Sequence, residues 1–300
     1  MKNLQRKKSM SRIKKIIYGF LRILGHQEWI RYGIRDRILR MFCNPFKIDS
    51  QEFEIDFYGF RYKGNLNCYI DWVAYFYGAY EKQELRILKD LIKDKHNAVF
   101  IDVGANIGHH SLYMAQYCNE IHSFEPYSAV RDKLQEKITL NSISSITVHP
   151  VGLGDENKAL DFYAPAGANT GTGSFVKEAA SDNHELNQKL QVVEGDDYFY
   201  LEQIRSVSLI KIDVEGFEKY VLTGLKKQLS EHRPIVFMEF SAATKASFSG
   251  QDELKAMLPD GYTILSVKPT RNVFFFFRSN KYQFIPFGFD GCGESIVLMP

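Results

Sequence analysis

The segment that decides the fold is Val99–Ala115, VFIDVGANIGHHSLYMA. An apolar run breaks into Asp-x-Gly-x-x-x-Gly and then turns apolar again, which predicts a strand ending at Val103 and a helix starting near Ile107. Working outward, strand patterns fall near Ala98–Val103, Glu120–Phe124, Ile146–Pro150, Val207–Asp213, Pro234–Phe240, Tyr262–Val267 and Ser295–Met299. Helical patterns fall near Ile107–Cys118, Ala129–Asn141, Phe217–Leu229 and Gln251–Leu258. Strands alternating with helices of this length predict an α/β fold, a seven-stranded, mostly parallel, doubly wound sheet covered on both faces.

In such a sheet, ligands bind beyond the carboxyl ends of the strands, so Gly104, Ala105, Asn106 and Gly108 should border the site. A dinucleotide fingerprint needs G-x-G-x-x-G, and here Asn106 and His109 stand where its second and third glycines belong. A P-loop needs Gly-Lys-Ser/Thr, which is missing. Asp102 would repel a pyrophosphate but attract an ammonium, while a ligand carboxylate could face the helix N-terminus. S-adenosylmethionine (SAM) carries an ammonium, a carboxylate and a nucleoside. Glu125, twenty-one residues after Gly104, stands where nucleoside-binding folds place a ribose-diol acceptor, a position that NAD enzymes share. Gly152 and Asp155, after the third strand, either meet the adenine or form a simple turn.

Asp213 ends the fourth strand, Glu215 follows it, and Glu239 ends the fifth, so three carboxylates should converge on the same rim. One of them, Glu215 or Asp213, is the expected general base for a hydroxyl acceptor, with Glu239 positioning it. The trio could instead hold magnesium or calcium, but the usual metal spacings are missing and no metal is expected. His109 and His110, being adjacent, point in different directions, so at most one should reach the site and helix surface is the expected place for either.

The stretches FIDVGANIGHHS, SFEP, VGLGDE and LIKIDVEGFEKYVLTGL, in that order, resemble the FkbM-type SAM-dependent methyltransferases, with GAYEKQE upstream and PIVFMEFS downstream also in keeping. The resemblance runs from about Phe53 to Phe240. It implies the class I, Rossmann-like fold and methyl transfer from SAM to a hydroxyl of a saccharide, lipid-linked glycan or secondary metabolite. It matches Asp102, Gly104, Asn106, Gly108 and Glu125 to the cofactor motif, and Asp213, Glu215 and Gly216 to the motif beside the reacting methyl. The alternatives are an NAD-linked oxidoreductase or epimerase and a non-catalytic SAM-binding scaffold.

The remaining sequence bounds the setting. Residues 1–41 carry a net charge of +10 and the rest of the chain −8, a basic head on an acidic body with no second basic surface for nucleic acid. Within the head, SRIKKIIYGFLRILG sets Ile13, Ile16, Ile17, Phe20, Leu21 and Leu24 at helical spacing opposite Arg12, Lys14, Lys15 and Arg22. Such a helix either lies on an anionic membrane or packs on its own domain. Cys43, Cys68, Cys118 and Cys292 lie far apart, which suits a reducing, cytoplasmic compartment, with the inner membrane face as the place of any peripheral contact. The expected organisation is a basic amphipathic extension (1–50), a hairpin with a helix (51–97), FEIDFYGFRY supplying the hairpin, and a catalytic domain (98–300). Leu160–Gly195 should form an insertion with a hairpin turn or a loop over the site, and RNVFFFFRSNKYQFIPFGF should be strand and core.

Overall fold

The computed structural model describes residues 12–165, 173–177, 184–269, 281–290 and 294–300. Helices α1 (Arg12–Gly25) and α2 (Tyr32–Phe42) lead into a hairpin, β1 (Glu52–Phe57) and β2 (Phe60–Asn65), then α3 (Tyr69–Tyr77) and α4 (Lys82–Ile92). The hairpin forms because Phe53, Ile55 and Phe57 alternate with Glu52, Glu54 and Asp56, and because Tyr58 and Gly59 both take positive φ, as a two-residue turn requires.

The main sheet is built from β3 (Val99–Val103), β4 (Glu120–Phe124), β5 (Ile146–His149), β9 (Val207–Ile212), β10 (Ile235–Phe240), β11 (Thr263–Pro269), β12 (Tyr282–Pro286) and β13 (Glu294–Met299). Its order is β12-β11-β13-β10-β9-β3-β4-β5. The five strands from β10 to β5 are parallel, and β13, β11 and β12 are antiparallel. All seven expected strands are present, in a doubly wound, Rossmann-like order, and β12 adds an eighth at the edge. The helices between them are α5 (His109–Met114), α6 (Ser128–Leu140), α7 (Gly195–Leu201), α8 (Glu218–Gly224), α9 (Lys226–Glu231), α10 (Ala242–Ser247) and α11 (Gln251–Ala256). A second sheet, ordered β6-β8-β7, comprises β6 (Gly152–Gly154), β7 (Lys158–Pro165) and β8 (His184–Glu194).

Strand alternation divides the core in two. Phe100, Leu209, Phe237 and Val297 face a layer that includes Tyr18, Leu21, Trp72, Leu88, Leu112 and Leu134, so the N-terminal helices and the sheet share one core. Ile101, Val103, Ile210, Ile212, Val236 and Met238 face Phe199, Val221, Leu222, Leu229 and Leu254 on the opposite side. The same period places Asp102, Lys211 and Glu239 on the Phe100 side, with Asp102 and Lys211 in register as cross-strand partners.

Several boundaries moved. The helix expected over Ile107–Cys118 shrinks to α5, because Gly108 takes φ +78° as its N-cap. The one expected over Phe217–Leu229 is broken at Leu225 into α8 and α9. Of the Leu160–Gly195 insertion, the flanks are the antiparallel pair β7 and β8, while 166–172 and 178–183 lie outside the described residues. The aromatic C-terminal stretch does form β12, an edge strand with Phe284 exposed, while Tyr282, Phe287 and Phe289 pack against the core as expected; 270–280 lie outside the described residues.

Helix α8 meets β6 backbone to backbone: a Cβ on Gly224 would stand 1.7 Å from the Gly154 carbonyl oxygen. Gly224→Ala should therefore lower stability by about 1–3 kcal/mol, read as an earlier urea midpoint; an unchanged midpoint would show that this contact yields freely.

Candidate functional site

A cavity of about 170 Å³ opens at the carboxyl ends of β3, β4, β9 and β10. Gly104, Ala105 and Asn106 form its floor, Glu125 stands at the end of β4, and Asp213, Glu215 and Glu239 line the β9–β10 side. Gly104 has φ +81°, and a Cβ there would fall 2.0 Å from the Asp213 carbonyl oxygen, so only glycine lets the two strand ends approach. Glu215 (φ +52°) and Gly216 (φ +100°) make the second tight turn. Buried Glu218 braces it, accepting hydrogen bonds from the Val214 N–H (3.1 Å), the Gly216 N–H (3.2 Å) and the Thr244 hydroxyl (2.9 Å).

Four cofactor residues read from the sequence sit elsewhere. Asp102 is fully buried and does not line the cavity. Its carboxylate accepts from the Ser111 hydroxyl at 2.5 Å and lies 3.7 Å from the Lys211 ammonium, so its partners are the first turn of α5 and a strand neighbour rather than a ligand's ammonium. Gly108 is a packing glycine whose Cβ would strike Leu134 at 2.1 Å. Gly152 lies in β6 under Phe175, and Phe175, with Phe162 and Tyr127, lines that end of the cavity instead. Asp155 faces Lys158 at 4.0 Å, away from the cavity. The turn's backbone donors are also engaged internally. Gly104 and Ala105 N–H both reach the Phe124 carbonyl (3.1 Å each), Asn106 N–H reaches Glu125 (2.9 Å), and Ile107 N–H reaches the Asn106 side chain (2.8 Å).

The cavity also holds residues that the sequence reading did not assign. Glu81 and Glu84, from the start of α4, enter it from above, and Lys211 from below. Both His109 and His110 are buried and line it, contrary to the expected helix surface. His109 Nε2 accepts from the Tyr80 N–H at 3.0 Å, and burial pushes its pKa down to about 3. His110 Nε2 is 3.6 Å from Glu81 and 4.0 Å from Glu84. Ligand atoms of Glu81, Glu84 and His110 lie within 4.8 Å of one another, so among the described residues the group spaced to hold a metal ion is this one rather than the trio Asp213, Glu215 and Glu239. Two signals in the sequence pointed here: a lysine inside the apolar strand VSLIKI, and two acids three residues apart ahead of the apolar face of α4.

The electrostatics follow from crowding. Lys211 bonds to Asp213 at 3.1 Å, and although burial alone would lower its pKa, the Asp213, Asp102, Glu81 and Glu84 carboxylates hold it well above the ordinary lysine value. It is the one lysine or arginine among the described lining residues, against Glu81, Glu84, Glu125, Asp213, Glu215 and Glu239. Burial first, then Asp213 and Glu218, raise Glu215 to about 7. Burial and the same neighbours together with Glu215 raise Glu239 to about 9. Burial takes Glu84 to about 7, aided by Asp213 and opposed by Lys211. Burial likewise raises Glu125 to about 7 against the Tyr127 and Asn106 N–H bonds, which favour its ionised form. Glu81 Oε2, His110 Nε2 and Glu239 Oε2 are buried without a hydrogen-bond partner among the described residues.

Replacing the cation exposes this crowding. Lys211→Met should cost about 3–5 kcal/mol, because it leaves buried carboxylates uncompensated; a loss under about 1 kcal/mol in urea unfolding would mean that the pair contributes little. The acids give a pH signature. Unfolded glutamates ionise near about 4.3, whereas folded Glu84, Glu215 and Glu239 hold their protons to about 7, 7 and 9. The folded state therefore binds more protons across this window, and its stability falls as pH rises through it. The ligand-free protein should have a lower urea midpoint at pH 9 than at pH 6; the reverse order would contradict the assignment.

Comparison with known proteins gives the family. A profile of the methyltransferase FkbM domain matches residues 102–275, more than half of the chain. Methyltransferase 1 of Beauveria bassiana (strain ARSEF 2860) is 32% identical over 146 residues, which cover 43% of this chain and 59% of that protein. Hexuronic acid methyltransferase AglP of Haloferax volcanii is 27% identical over 151 residues, 50% of this chain and 58% of that protein. The matches thus span less than two thirds of either relative. The crystal structure of Methyltransferase FkbM from Methylobacillus flagellatus KT superposes with a TM-score of 0.42 at 20% identity, covering 67% of this chain and 43% of the other. On the strength of the profile match, this chain belongs to the methyltransferase FkbM domain family.

Proposed function

We propose that the protein transfers a methyl group from SAM to a hydroxyl oxygen of a saccharide or of a saccharide-bearing lipid or metabolite. The observation that carries this reading is the surplus of carboxylates over one ammonium in a cavity floored by the Gly104–Asn106 turn. Bound there, SAM would supply a methyl carbon carried on a cationic sulfonium. The orphaned acceptors on Glu81 and Glu239 suit a positively charged guest, and the field of the surrounding acids favours one. Glu125 keeps lone pairs beyond those used by Asn106 and Tyr127, enough to accept from a ribose diol. Phe162, Phe175 and Tyr127 offer an apolar aromatic wall for a nucleobase. Asp213, Glu81 and Glu84 take over the ammonium-facing role that the sequence reading gave to Asp102.

For the transfer itself, Glu215 is the base. Its carboxylate accepts the proton from the acceptor hydroxyl as the oxygen gains the methyl group, and a pKa of about 7 suits that exchange near neutrality. Glu239, protonated to about pH 9, donates a hydrogen bond that positions the acceptor. Glu218 acts through the backbone, fixing the turn on which Glu215 stands. A saccharide acceptor is supported by the AglP relative, whose name states that it methylates a hexuronic acid. A dinucleotide reading loses support because the N–H groups of the glycine turn, which would have to receive a pyrophosphate, are already spent within the chain.

Calorimetry should show SAM binding and no comparable NAD binding. Glu125→Ala should weaken SAM affinity by about 1–3 kcal/mol, and an unchanged affinity would remove the ribose assignment. Glu215→Gln should weaken SAM affinity by less than about tenfold, through the loss of one of several acids, while lowering kcat by about a hundredfold or more. The wild-type kcat/KM for SAM, followed as a gain of one CH₂ on saccharide acceptors by mass spectrometry, should rise with pH through about 7, since it reports the free enzyme and only the ionised Glu215 can take the proton. Full turnover by Glu215→Gln would end its role as base, and SAM binding without turnover on any acceptor would favour a non-catalytic scaffold.

A further inference from the structure

Helix α1 is attached by one face and offers another. Tyr18, Leu21 and Gly25, spaced for a single stripe, are buried, with Tyr18 against Phe76 of α3 at a 5.6 Å ring separation. The outward stripe is the more apolar one: Ile13 (71% exposed), Ile16 (62%), Phe20 (69%) and Ile23 (63%), with Ile17 beside it. Trp29 in the following turn, Ile34, Met41 and Phe42 in α2, and Phe46 just beyond it are exposed as well. No described helix is long and apolar enough to cross a membrane, so this is a surface feature. Scattered exposed leucines or isoleucines need no explanation, but a contiguous stripe of this kind does.

The charges around the stripe select its partner. Arg12, Lys14 and Lys15 are exposed on the same helix, whereas Arg22 turns inward and donates to the Tyr75 carbonyl at 3.1 Å; Lys2, Arg6, Lys7 and Lys8 precede the helix in the sequence, and residues 1–41 hold only Glu28 and Asp36 against twelve basic residues. A second copy of this chain would bring like charge against like charge. Nucleic acid would meet the positive charge but has no use for the apolar stripe. An anionic phospholipid surface answers both features, taking the isoleucines and Phe20 among its acyl chains and the lysines and arginines among its head groups. We propose that the outer face of α1, extended by the exposed residues of α2 and the turn between them, seats the protein on an anionic bilayer surface.

A second crevice, of about 260 Å³, lies between α2, α3 and the start of α4, lined in part by Tyr32, Arg35 and Tyr77. It shares Tyr69, Tyr80 and Glu81 with the main cavity. On the proposed methyl transfer, this crevice offers an acceptor a route to the cavity. Only this last point rests on the proposed methyl transfer; the bilayer contact stands without it.

The test is co-sedimentation of the full chain with vesicles containing phosphatidylglycerol, and with vesicles of phosphatidylcholine alone, at low and high salt. Wild type should bind the anionic vesicles, lose most of that binding at high salt, and bind the zwitterionic ones at least about tenfold less. The triple variant Ile16→Ser, Phe20→Ser, Ile23→Ser should bind anionic vesicles at least about tenfold less than wild type, with its melting temperature and SAM affinity unchanged, since all three side chains face solvent. The charge variant Arg12→Glu, Lys15→Glu should behave likewise, and it carries the test should the triple variant fold poorly. Equal binding of both vesicle types, no vesicle binding by wild type, or a wild-type dimer that the triple variant dissolves would each overturn the proposal. Loss of vesicle binding with SAM affinity intact separates this surface from the site.

Discussion

The arrangement of the whole site depends on the buried pair of Asp102 and Lys211 on adjacent central strands. Placing a lysine in the middle of an apolar strand is costly unless a carboxylate meets it, and strand register puts Asp102 opposite it. That pairing frees Asp213, one step beyond Lys211 on the same face, to sit at the strand end and hold the other side of the ammonium. Asp102 in turn anchors the first turn of α5 through Ser111. One cation thereby fixes two strands, one helix and the depth of the cavity.

From that depth comes the chemistry. Carboxylates from the ends of α4, β4, β9 and β10 share the cavity with a single ammonium, and burial keeps several of them protonated in the absence of a guest. The proposed cationic ligand would supply what the cavity lacks, and its arrival would favour the ionised state of the same acids. The differing pull of burial on Glu215 and Glu239 separates a group that can accept a proton near neutrality from one that still carries its own. On this reading, recognition of the cation and removal of the acceptor's proton draw on one electrostatic field.

Much of this was legible in the sequence. The alternation of apolar strands and helices carried the sheet, and the acids at the ends of β4, β9 and β10 fell into one cavity because parallel strands deliver their ends to one side. Asp102 was placed in that crevice by its nearness to Gly104, but period two in β3 turns it into the covered face, where Lys211 waits; a single strand read alone cannot show its neighbour. Glu81, Glu84 and His110 were missed because each looked like an ordinary helix-end residue, and only the packing of α4 on α5 brings them together. Gly152 lies outside the cavity because Phe175, from the segment between β7 and β8, packs against it, and Asp155 faces Lys158 instead. In α1 the hydrophobic pattern correctly marked an amphipathic helix, yet spacing alone could not say that the broader apolar stripe faces outward.

The most direct test of the central claim is the proton balance of SAM binding. Calorimetric titration at pH 7 in two buffers of different ionisation enthalpy gives the number of protons exchanged. A cation entering a cavity of partly protonated glutamates should lower their pKa values, so the account predicts net proton release on binding. Binding with no proton exchange, or with proton uptake, would show that the ligand does not meet those carboxylates and would contradict the electrostatic basis of the site.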